Sequence, residues 1–297
     1  GLYKRDRETY RGIIEKWLNS GAAAEKRAGI IAATESGDPT HIPRIKAVLD
    51  GNPPPDVLSP ALLALSRLGA EEVNDLVAPH LSHEAEEVRL AALEAFVVRD
   101  DESLGKVIDL LGDPSERIHE FAGEKIQNAP YVNAQLLVES LAARRRRIRD
   151  GLFDVLETLN IKDLDVFRFV RAQVERSYRN LAVAVALKYV PVCDERNLLI
   201  EHLHQSKQMR LENVLRVLAI QDRTGQMRIV WRGLASADSR QRSNSVEALD
   251  DLLDPSLTRI MLPLLEAIPD DQCLRIGSRH FDLPRFNSDL GAIYRHL

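Results

Sequence analysis

Hydrophobic positions along this chain of 297 residues follow the period of an α-helix, and the pattern itself repeats. In the clearest unit, the leucines at 110–111 close one amphipathic helix, Asp113 and Pro114 turn the chain, and Ile118 and Ala122 follow at i, i+4. Aspartate is a good helix N-cap and proline suits the first helical position. The unit therefore predicts a helical hairpin, with Asp113 capping its second helix.

The same layout returns along most of the chain. The leucine that ends the first helix recurs every 30 to 32 residues, with one gap twice as long in which Ala172 takes the missing place. Arginine fills six of the eight equivalent positions early in the second helix. The leucines are Leu18, Leu49, Leu81, Leu111, Leu141, Leu203, Leu234 and Leu265, and the second positions are Arg27, Leu58, Arg89, His119, Arg149, Arg179, Arg210 and Arg242.

This register predicts where the helices lie. First helices are expected near 8–19, 40–50, 70–82, 102–111, 131–142, 162–174, 194–205, 226–236 and 255–267, and second helices are expected to start near 24, 57, 85, 115, 145, 175, 207 and 239. Asp38-Pro39 and Asp254-Pro255 read as helix starts, whereas Ser59-Pro60 is expected to shorten its helix. Residues 268–285 read as a loop, and Ser288 as the cap of a short last helix.

Hairpins stacked in this way form an all-α superhelical solenoid. Each repeat buries its apolar face on its neighbours, so an array can exceed the size of a single compact core. We predict a solenoid over 1–267, with eight hairpins and a ninth first helix, followed by a terminal cap or linker over 268–297. Aromatic residues make up only 5% of the chain and charged residues 29%, as such arrays favour.

Charge and cysteine content narrow the functions. The net charge is −5 and the pI about 6.0, which weighs against a nucleic-acid partner because such proteins carry a basic domain or stripe. The two cysteines, Cys193 and Cys273, form neither a disulfide framework nor a CxxC metal site. Two widely separated cysteines fit a reducing, cytoplasmic setting. The longest apolar run, Leu181–Leu187, is too short to span a bilayer.

The repeat also resembles a known family. A 30-residue hairpin with Leu-Leu-x-Asp-Pro at 110–114, and with an apolar-Arg pair in half of the units, resembles the HEAT repeat over almost the whole chain. The resemblance implies a right-handed α-α superhelix. Family members often pair the Asp before the second helix with the repeated arginine, but here that Asp is clear only at Asp113. The equivalent positions are Gly21, Asn52, His83, Ala143, Gln173, His204 and Ser236.

A narrower resemblance lies in the stretch from Arg242 to Glu266. It is similar to the end of the HEAT segment in large bacterial membrane proteins that carry an ATP/ADP-translocase-like domain first and a cyclic-nucleotide-binding domain last. That resemblance implies that the chain is a fragment at the cytoplasmic face of the inner membrane. A membrane domain would precede it, and the helix Tyr3–Leu18 would be the segment that follows that domain. It transfers no transport or nucleotide site to this chain.

The strongest candidate site is a run of arginines in the first turn of the fifth second helix: Arg144, Arg145, Arg146, Arg147 and Arg149. Cations there oppose the helix dipole, and a broken local rule can mark a functional site. One interpretation is a contact for an anion, such as an acidic partner segment, a lipid headgroup or a phosphate. The other is internal pairing with glutamates of neighbouring repeats, namely Glu116, Glu120, Glu124 and Glu175.

Other candidates have ordinary structural explanations beside their functional ones. The repeated arginines either tie adjacent repeats together or bind ligand. The tryptophans either pack between helices or stack on nucleic-acid bases. The histidine pairs are either surface residues or part of a zinc site that lacks further ligands. The acidic pairs either lie at helix ends and turns or act in acid–base chemistry. These residues are Trp17, Trp231, His80, His83, His202, His204, Asp100, Asp101, Asp250, Asp251, Asp270 and Asp271.

No glycine-rich phosphate loop, GxSxG or HExxH motif occurs, and no cofactor is expected. The leading interpretation is a non-catalytic interaction or coupling module that contacts a protein partner or neighbouring domains. A membrane contact would come only through a flanking domain or weakly through the arginine cluster. The alternatives are a free-standing soluble scaffold and a HEAT-like enzyme related to DNA glycosylases or bilin lyases.

Overall fold

The computed structural model is helical throughout the part of the chain that it describes. It describes residues 7–142, 145–159, 161, 165–222, 224–234, 236, 238–266, 268–284 and 286. Those residues form sixteen α-helices and two short 3₁₀ helices, with no strand among them. The predicted all-α class is confirmed. The Cα atoms divide into two compact units, residues 1–133 and residues 134–297.

Unit 1 consists of four consecutive helix pairs. Its α-helices are α1 Arg7–Leu18, α2 Ala23–Ser36, α3 Ile42–Asp50, α4 Pro55–Arg67, α5 Val73–Val77, α6 Glu86–Ala95, α7 Asp101–Leu110 and α8 Glu116–Gln127. The 3₁₀ helices Pro39–His41 and Ala78–Ser82 adjoin α3 and α5. These bounds confirm the predicted hairpin positions in this part of the chain to within about three residues.

The second helices of the pairs form a continuous series in unit 1. Helix α2 contacts α4, α4 contacts α6, and α6 contacts α8. Their inner faces bury Ile30, Leu62, Leu93 and Ile118 almost completely. The first pair approaches closely because Gly29 has no side chain: a Cβ there would lie 2.9 Å from the Cβ of Trp17. Each helix thus covers its apolar stripe on its neighbours, as a repeat requires.

Proline and aspartate set several helix starts, and not always as predicted. Asp38 and Asp254 cap the helices that begin at the following proline, which confirms both predicted starts. Asp113 does not cap α8: its carboxylate accepts from the backbone N–H of Ser115, and Ser115 is the N-cap. Pro60 does not shorten α4, which runs through it; a single missing N–H is tolerated inside a helix buried along most of one face.

Unit 2 contains the two longest helices, of 22 and 28 residues. Its helices are α9 Ala134–Ser140, α10 Arg146–Leu159, α11 Val166–Leu187, α12 Asp194–Gln221, α13 Gln226–Leu234, α14 Ser239–Leu252, α15 Pro255–Leu265 and α16 Asp270–Gly277. Helices α11 and α12 form the most extensive contact, and α12 also packs against α10 and α13. Helix α12 therefore has three neighbouring helices.

Two predicted hairpins are wrong. The helix starts expected near 175 and 207 do not exist, because α11 and α12 each run unbroken through the expected turn. Neither stretch contains glycine or proline, so nothing interrupts the helix there. Ala172, which took the place of a core leucine in the repeat register, is exposed on α11.

The predicted loop over 268–285 is also wrong in its first half, which forms α16. Helices α15 and α16 pack against α11, far back along the chain. Tyr178 of α11 is fully buried there and donates from its hydroxyl to the carbonyl oxygen of Ile260 at 3.0 Å. Gly277 permits this contact, since a Cβ would stand 2.4 Å from the Cδ1 atom of Tyr178. Pro269 and Gly277 therefore mark the two ends of a short helix and do not form a loop.

Contacts between distant helices are not what a strictly neighbour-to-neighbour array would give. The division into a 1–267 solenoid and a 268–297 cap stays a prediction, as does the superhelix. The predicted last helix after Ser288, and residues 1–6 of the opening helix, lie outside the described residues. Among the helices that are described, none combines the length and apolar character needed to cross a bilayer.

We predict that Gly277→Ala destabilises unit 2. The added methyl would overlap the ring of Tyr178, and overpacking a buried contact costs about 1–3 kcal/mol. The free energy of unfolding in urea measures the effect. Gly105→Ala is the matched control: Gly105 lies inside α7 with open space around it, so alanine should stabilise that helix by about 0.5–1 kcal/mol. Equal effects of the two substitutions would contradict the contact.

Candidate functional site

The arginine cluster begins α10, as the sequence predicts. Arg146, Arg147 and Arg149 occupy its first turn, Arg145 directly precedes it, and Arg144 lies outside the described residues. Arg145 is exposed and forms no ion pair within the described part of the chain. Two members of the cluster, Arg146 and Arg149, line a cavity, and Arg145 does not.

That cavity is a groove of about 900 Å³ between α10, α12 and α13. We call it the arginine groove. One wall is the start of α10, the opposite wall is a stripe along α12, and α13 contributes one aromatic side chain. The lining residues are Ala142, Arg146, Arg149, Asp150, His202, Gln205, Ser206, Gln208, Met209, Glu212, Asn213, Arg216 and Trp231. All of them belong to unit 2.

The stripe on α12 follows helical geometry. Its members recur at intervals of three and four residues from His202 to Arg216, so they share one face over about 21 Å of helix. A second small cavity continues past Arg216 and Trp231 towards Arg228 and Glu157. The groove is thus elongated along α12, and its length suits a chain segment better than a single small ion.

Arg216 is the best-fixed cation of the groove. Its guanidinium carbon lies 3.7 Å from the ring centroid of Phe153 and 5.7 Å from that of Trp231. Its side chain is only 19% exposed. Guanidinium groups stack well on aromatic faces, and such contacts strengthen where water is excluded. The two rings therefore hold Arg216 in place before any ligand binds.

Asp150 contacts two of the three arginines that line the groove. Its Oδ1 accepts from Nη1 of Arg216 at 3.3 Å, and its Oδ2 lies 3.7 Å from Nε of Arg146. The groove lining holds three arginines against two carboxylates, those of Asp150 and Glu212. The arrangement is a mildly cationic, mixed-charge surface with one aromatic side, which suits recognition of carboxylate or phosphate groups.

Internal pairing of the cluster is seen at Arg146. Its Nε lies 3.7 Å from Asp150, one turn further along α10, whereas Glu175 pairs with Arg179 on its own helix at 2.7 Å. The sequence signal for Asp150 is its i, i+4 spacing from Arg146 on the same helix. The repeat register relates the arginine cluster to other repeats and does not contain that signal. The glutamates at 116, 120 and 124 belong to unit 1, and their part of the hypothesis stays a prediction.

Hydroxyl, metal-ligating and histidine side chains are candidates for catalytic chemistry in the described residues. The hydroxyl of Ser206 accepts from the side-chain amide of Asn180 at 3.1 Å, which ties it to helix packing. Nowhere in the described residues do three or more His, Cys, Asp or Glu side chains converge as a metal site would require. His80 and His83 are neighbours, but His83 accepts the backbone N–H of Ala85 through its Nδ1 at 3.0 Å.

Two other candidate carboxylates, Asp100 and Asp101, lie in structural contacts. Asp100 caps α7 in a capping box with Ser103, and Asp101 accepts from Tyr131 and Asn133. Hydrogen bonds from these donors hold the pKa of both carboxyl groups below the usual value. Buried Cys273 donates to the carbonyl oxygen of Pro263, and burial raises the pKa of its thiol to about 11.

Four of the repeated arginines show their partners, and they differ. Arg89 makes a two-point ion pair with Asp113, at 2.7 and 2.9 Å, which joins the third and fourth helix pairs. Arg210 donates to Gln173 across the α11–α12 contact at 3.1 Å. Arg179 pairs only along its own helix, and Arg242 donates to the carbonyl oxygen of Ser236. Arg89 and Arg210 therefore link neighbouring helices, which is the structural interpretation of the repeated arginines.

Asp113→Asn should destabilise unit 1 by about 3–5 kcal/mol. The side chains of Arg89 and Asp113 are 12% and 4% exposed, so removing one charge leaves the other buried without compensation. Chemical denaturation followed by circular dichroism measures the change. Glu102→Gln breaks the exposed pair with Lys106 and should stay within about 0.5 kcal/mol. A small effect at Asp113 would show that the buried pair is dispensable.

One histidine is unusual. His41 is fully buried, and neither ring nitrogen has a hydrogen-bond partner. Burial lowers the pKa of this imidazole, although Asp38 and Glu15 oppose the shift and Arg11 and Arg44 add to it. Protonation would place an unsolvated charge among the helices α1 to α3, which is costly.

The stability of unit 1 should therefore fall as the pH falls below about 6.5, the ordinary histidine value. Between that value and the lower folded pKa, the unfolded chain binds the proton and the folded chain does not. The slope contributed by one histidine is at most about 1.4 kcal/mol per pH unit. Urea unfolding between neutral and mildly acidic pH should lose part of its pH dependence in His41→Leu. The exposed His280→Gln is the control, and an unchanged slope in His41→Leu would exclude His41 as the cause.

Comparison with known proteins adds no family assignment. No protein-family model matches the chain, and no curated protein is significantly similar to it. The function therefore has to be argued from the groove and the helices that form it.

Proposed function

We propose that the protein is a non-catalytic binding module whose arginine groove holds an acidic segment of a partner protein. The observation that carries the proposal is the placement of Arg146, Arg149 and Arg216 around one elongated groove in a chain with a net charge of −5. Carboxylates of a partner would meet guanidinium groups, one of which is already held by two aromatic rings.

An acidic protein segment suits the groove better than a nucleic acid does. A nucleic acid presents a regular row of phosphates and needs a continuous basic track. Here Asp150 and Glu212 interrupt the arginines, and the chain as a whole has 45 acidic and 40 basic side chains, counting Lys and Arg. A peptide with spaced acidic residues can place its carboxylates at the arginines and neutral residues beside the two acids.

The wider context of the module is also part of the proposal. The resemblance to HEAT repeats and the helix pairs of unit 1 support a right-handed solenoid scaffold. The narrower resemblance favours a cytoplasmic domain of a larger bacterial, nucleotide-transporter-like membrane protein, in which the module would couple neighbouring domains. A free-standing scaffold would use the same groove. Membrane fractionation of the native gene product separates these two contexts: a much larger, salt-resistant membrane band supports the first, and a soluble band of 33.4 kDa supports the second.

An enzyme of the glycosylase or bilin-lyase type is the second class of function. No observation in the described residues favours it, since the groove brings together no hydrogen-bonded nucleophile and base. Competition by single-stranded DNA tests the nucleic-acid form of this alternative. Stronger competition by DNA than by an acidic peptide would contradict our proposal.

The binding test uses fluorescence anisotropy of a labelled peptide of alternating glutamate and glycine. We expect saturable binding at low salt that weakens as salt rises, because exposed charges are screened. Arg146→Gln should weaken binding by about two- to fivefold, the range of one exposed charge pair. The Arg146 side chain is 88% exposed, so this substitution should leave the fold intact.

Arg145→Gln is the matched control for this experiment. It removes the same charge one residue earlier, from a side chain that does not line the groove. Its effect should stay within about twofold. Equal losses at the two positions would mean that the peptide responds to general charge and not to the groove. Absence of binding to the unmodified protein would overturn the proposed function.

A further inference from the structure

Asp150 stands where an acidic ligand of the arginine groove would place its own carboxylate. It contacts Arg216 with one oxygen and Arg146 with the other, at 3.3 and 3.7 Å. Two arginines that converge on one carboxylate form the arrangement expected around a bound anion. In this structure, the protein's own side chain provides that anion.

Arg216 does not need Asp150 to stay in the groove. Arg216 is held by the face of Phe153 and by Trp231, and its backbone belongs to the interior of the 28-residue helix α12. Arg146 is on the first turn of α10 and extends into solvent, where it can follow an incoming ligand. If Asp150 moved away, the guanidinium group of Arg216 would remain close to its present position.

Releasing Asp150 is also inexpensive. Its side chain is 52% exposed, so water can replace the arginines as its partner. Arg216 is 19% exposed, and an incoming carboxylate would compensate its charge in place of Asp150. A buried pair such as Arg89–Asp113, with the carboxylate side chain 4% exposed, could not exchange partners in this way. Exposure therefore makes the Asp150 contacts replaceable.

We propose that Asp150 is an intramolecular competitor that occupies the arginines until a partner's acidic segment displaces it. The inference rests on the proposed function and deepens it. A single weak anion would not outcompete a carboxylate tethered beside the arginines, whereas a segment with several spaced acidic residues would. Asp150 thus sets a threshold that favours multivalent acidic partners over free small anions.

The test is Asp150→Asn in the same anisotropy titration with the glutamate–glycine peptide. A competitor weakens binding, so its removal should tighten binding, by about threefold at low salt. Inorganic phosphate should also displace the peptide more effectively from Asp150→Asn than from the unmodified protein. Asp150→Glu keeps the charge and should tighten binding less than Asp150→Asn does.

Asp154→Asn is the control for overall charge. Asp154 lies one turn further along α10, is exposed, and is absent from the groove lining, so its loss changes the net charge by the same amount. Tightening by Asp154→Asn equal to that by Asp150→Asn would overturn the inference. Urea unfolding of both variants checks that the fold is kept, since an exposed charge pair contributes little to stability.

The remaining outcomes separate this inference from the proposed function. If the unmodified protein binds the peptide and Asp150→Asn binds it equally or more weakly, Asp150 is not a competitor, while the binding module stands. If neither protein binds the peptide, both proposals fail. If binding appears only in Asp150→Asn, competition by Asp150 is supported and is strong enough to hide the groove from this probe.

Discussion

Unit 2 depends on the packing of one helix, α12, against three neighbours. A helix of 28 residues cannot bury its apolar side alone, and α10, α11 and α13 cover it from different directions. Leu211, Val214, Leu215 and Leu218 are buried in these contacts. The face that is left over carries the polar stripe from His202 to Arg216. The groove is consequently the part of α12 that its neighbours do not cover, bounded by the helices that cover the rest.

Burial divides the arginines into two kinds. Arg89 is locked to Asp113 in a nearly water-free pair, where losing one partner would leave an uncompensated charge, so this pair can only be structural. Arg146 and Arg216 share Asp150 at a surface where Asp150 and Arg146 can return to water. The two kinds of ion pair therefore differ in what they can do, and the exposure of the carboxylate decides the difference. Arg216 is intermediate, because aromatic stacking fixes it while its carboxylate partner stays exchangeable.

The sequence predicts the fold well wherever local signals end the helices. Asp254 before Pro255 is a cap followed by a residue that needs no donor, and α15 begins there. The register of leucines fails at 175 and 207, because a repeat pattern assumes a turn that no glycine or proline enforces. It also fails at α16, where proline and glycine suggested a loop while the burial of Tyr178 against Gly277 favours a helix. That contact joins residues about a hundred positions apart, which no local pattern contains.

The candidate site shows the same limit. The arginine run at the start of α10 is visible in the sequence because it breaks a rule of helix electrostatics. Its partners were hidden by the wrong break at 207, which assigned His202 and Arg216 to two different helices. With α12 intact, their spacing puts them on one face. Phe153 and Trp231 could not be linked to Arg216 from spacing at all, because each comes from a different helix and they meet only through tertiary packing.

The absence of helix breakers within α11 and α12 has a functional consequence. Unit 1 turns at short intervals, so its helices of five to fourteen residues expose short faces. An unbroken helix gives unit 2 a rigid wall long enough to hold several polar groups in fixed register. Preorganised groups bind at a lower entropic cost, which matters most for a shallow, mixed-charge groove whose individual contacts are weak. The departure from the repeat pattern is therefore the feature on which the proposed binding of an extended acidic segment depends.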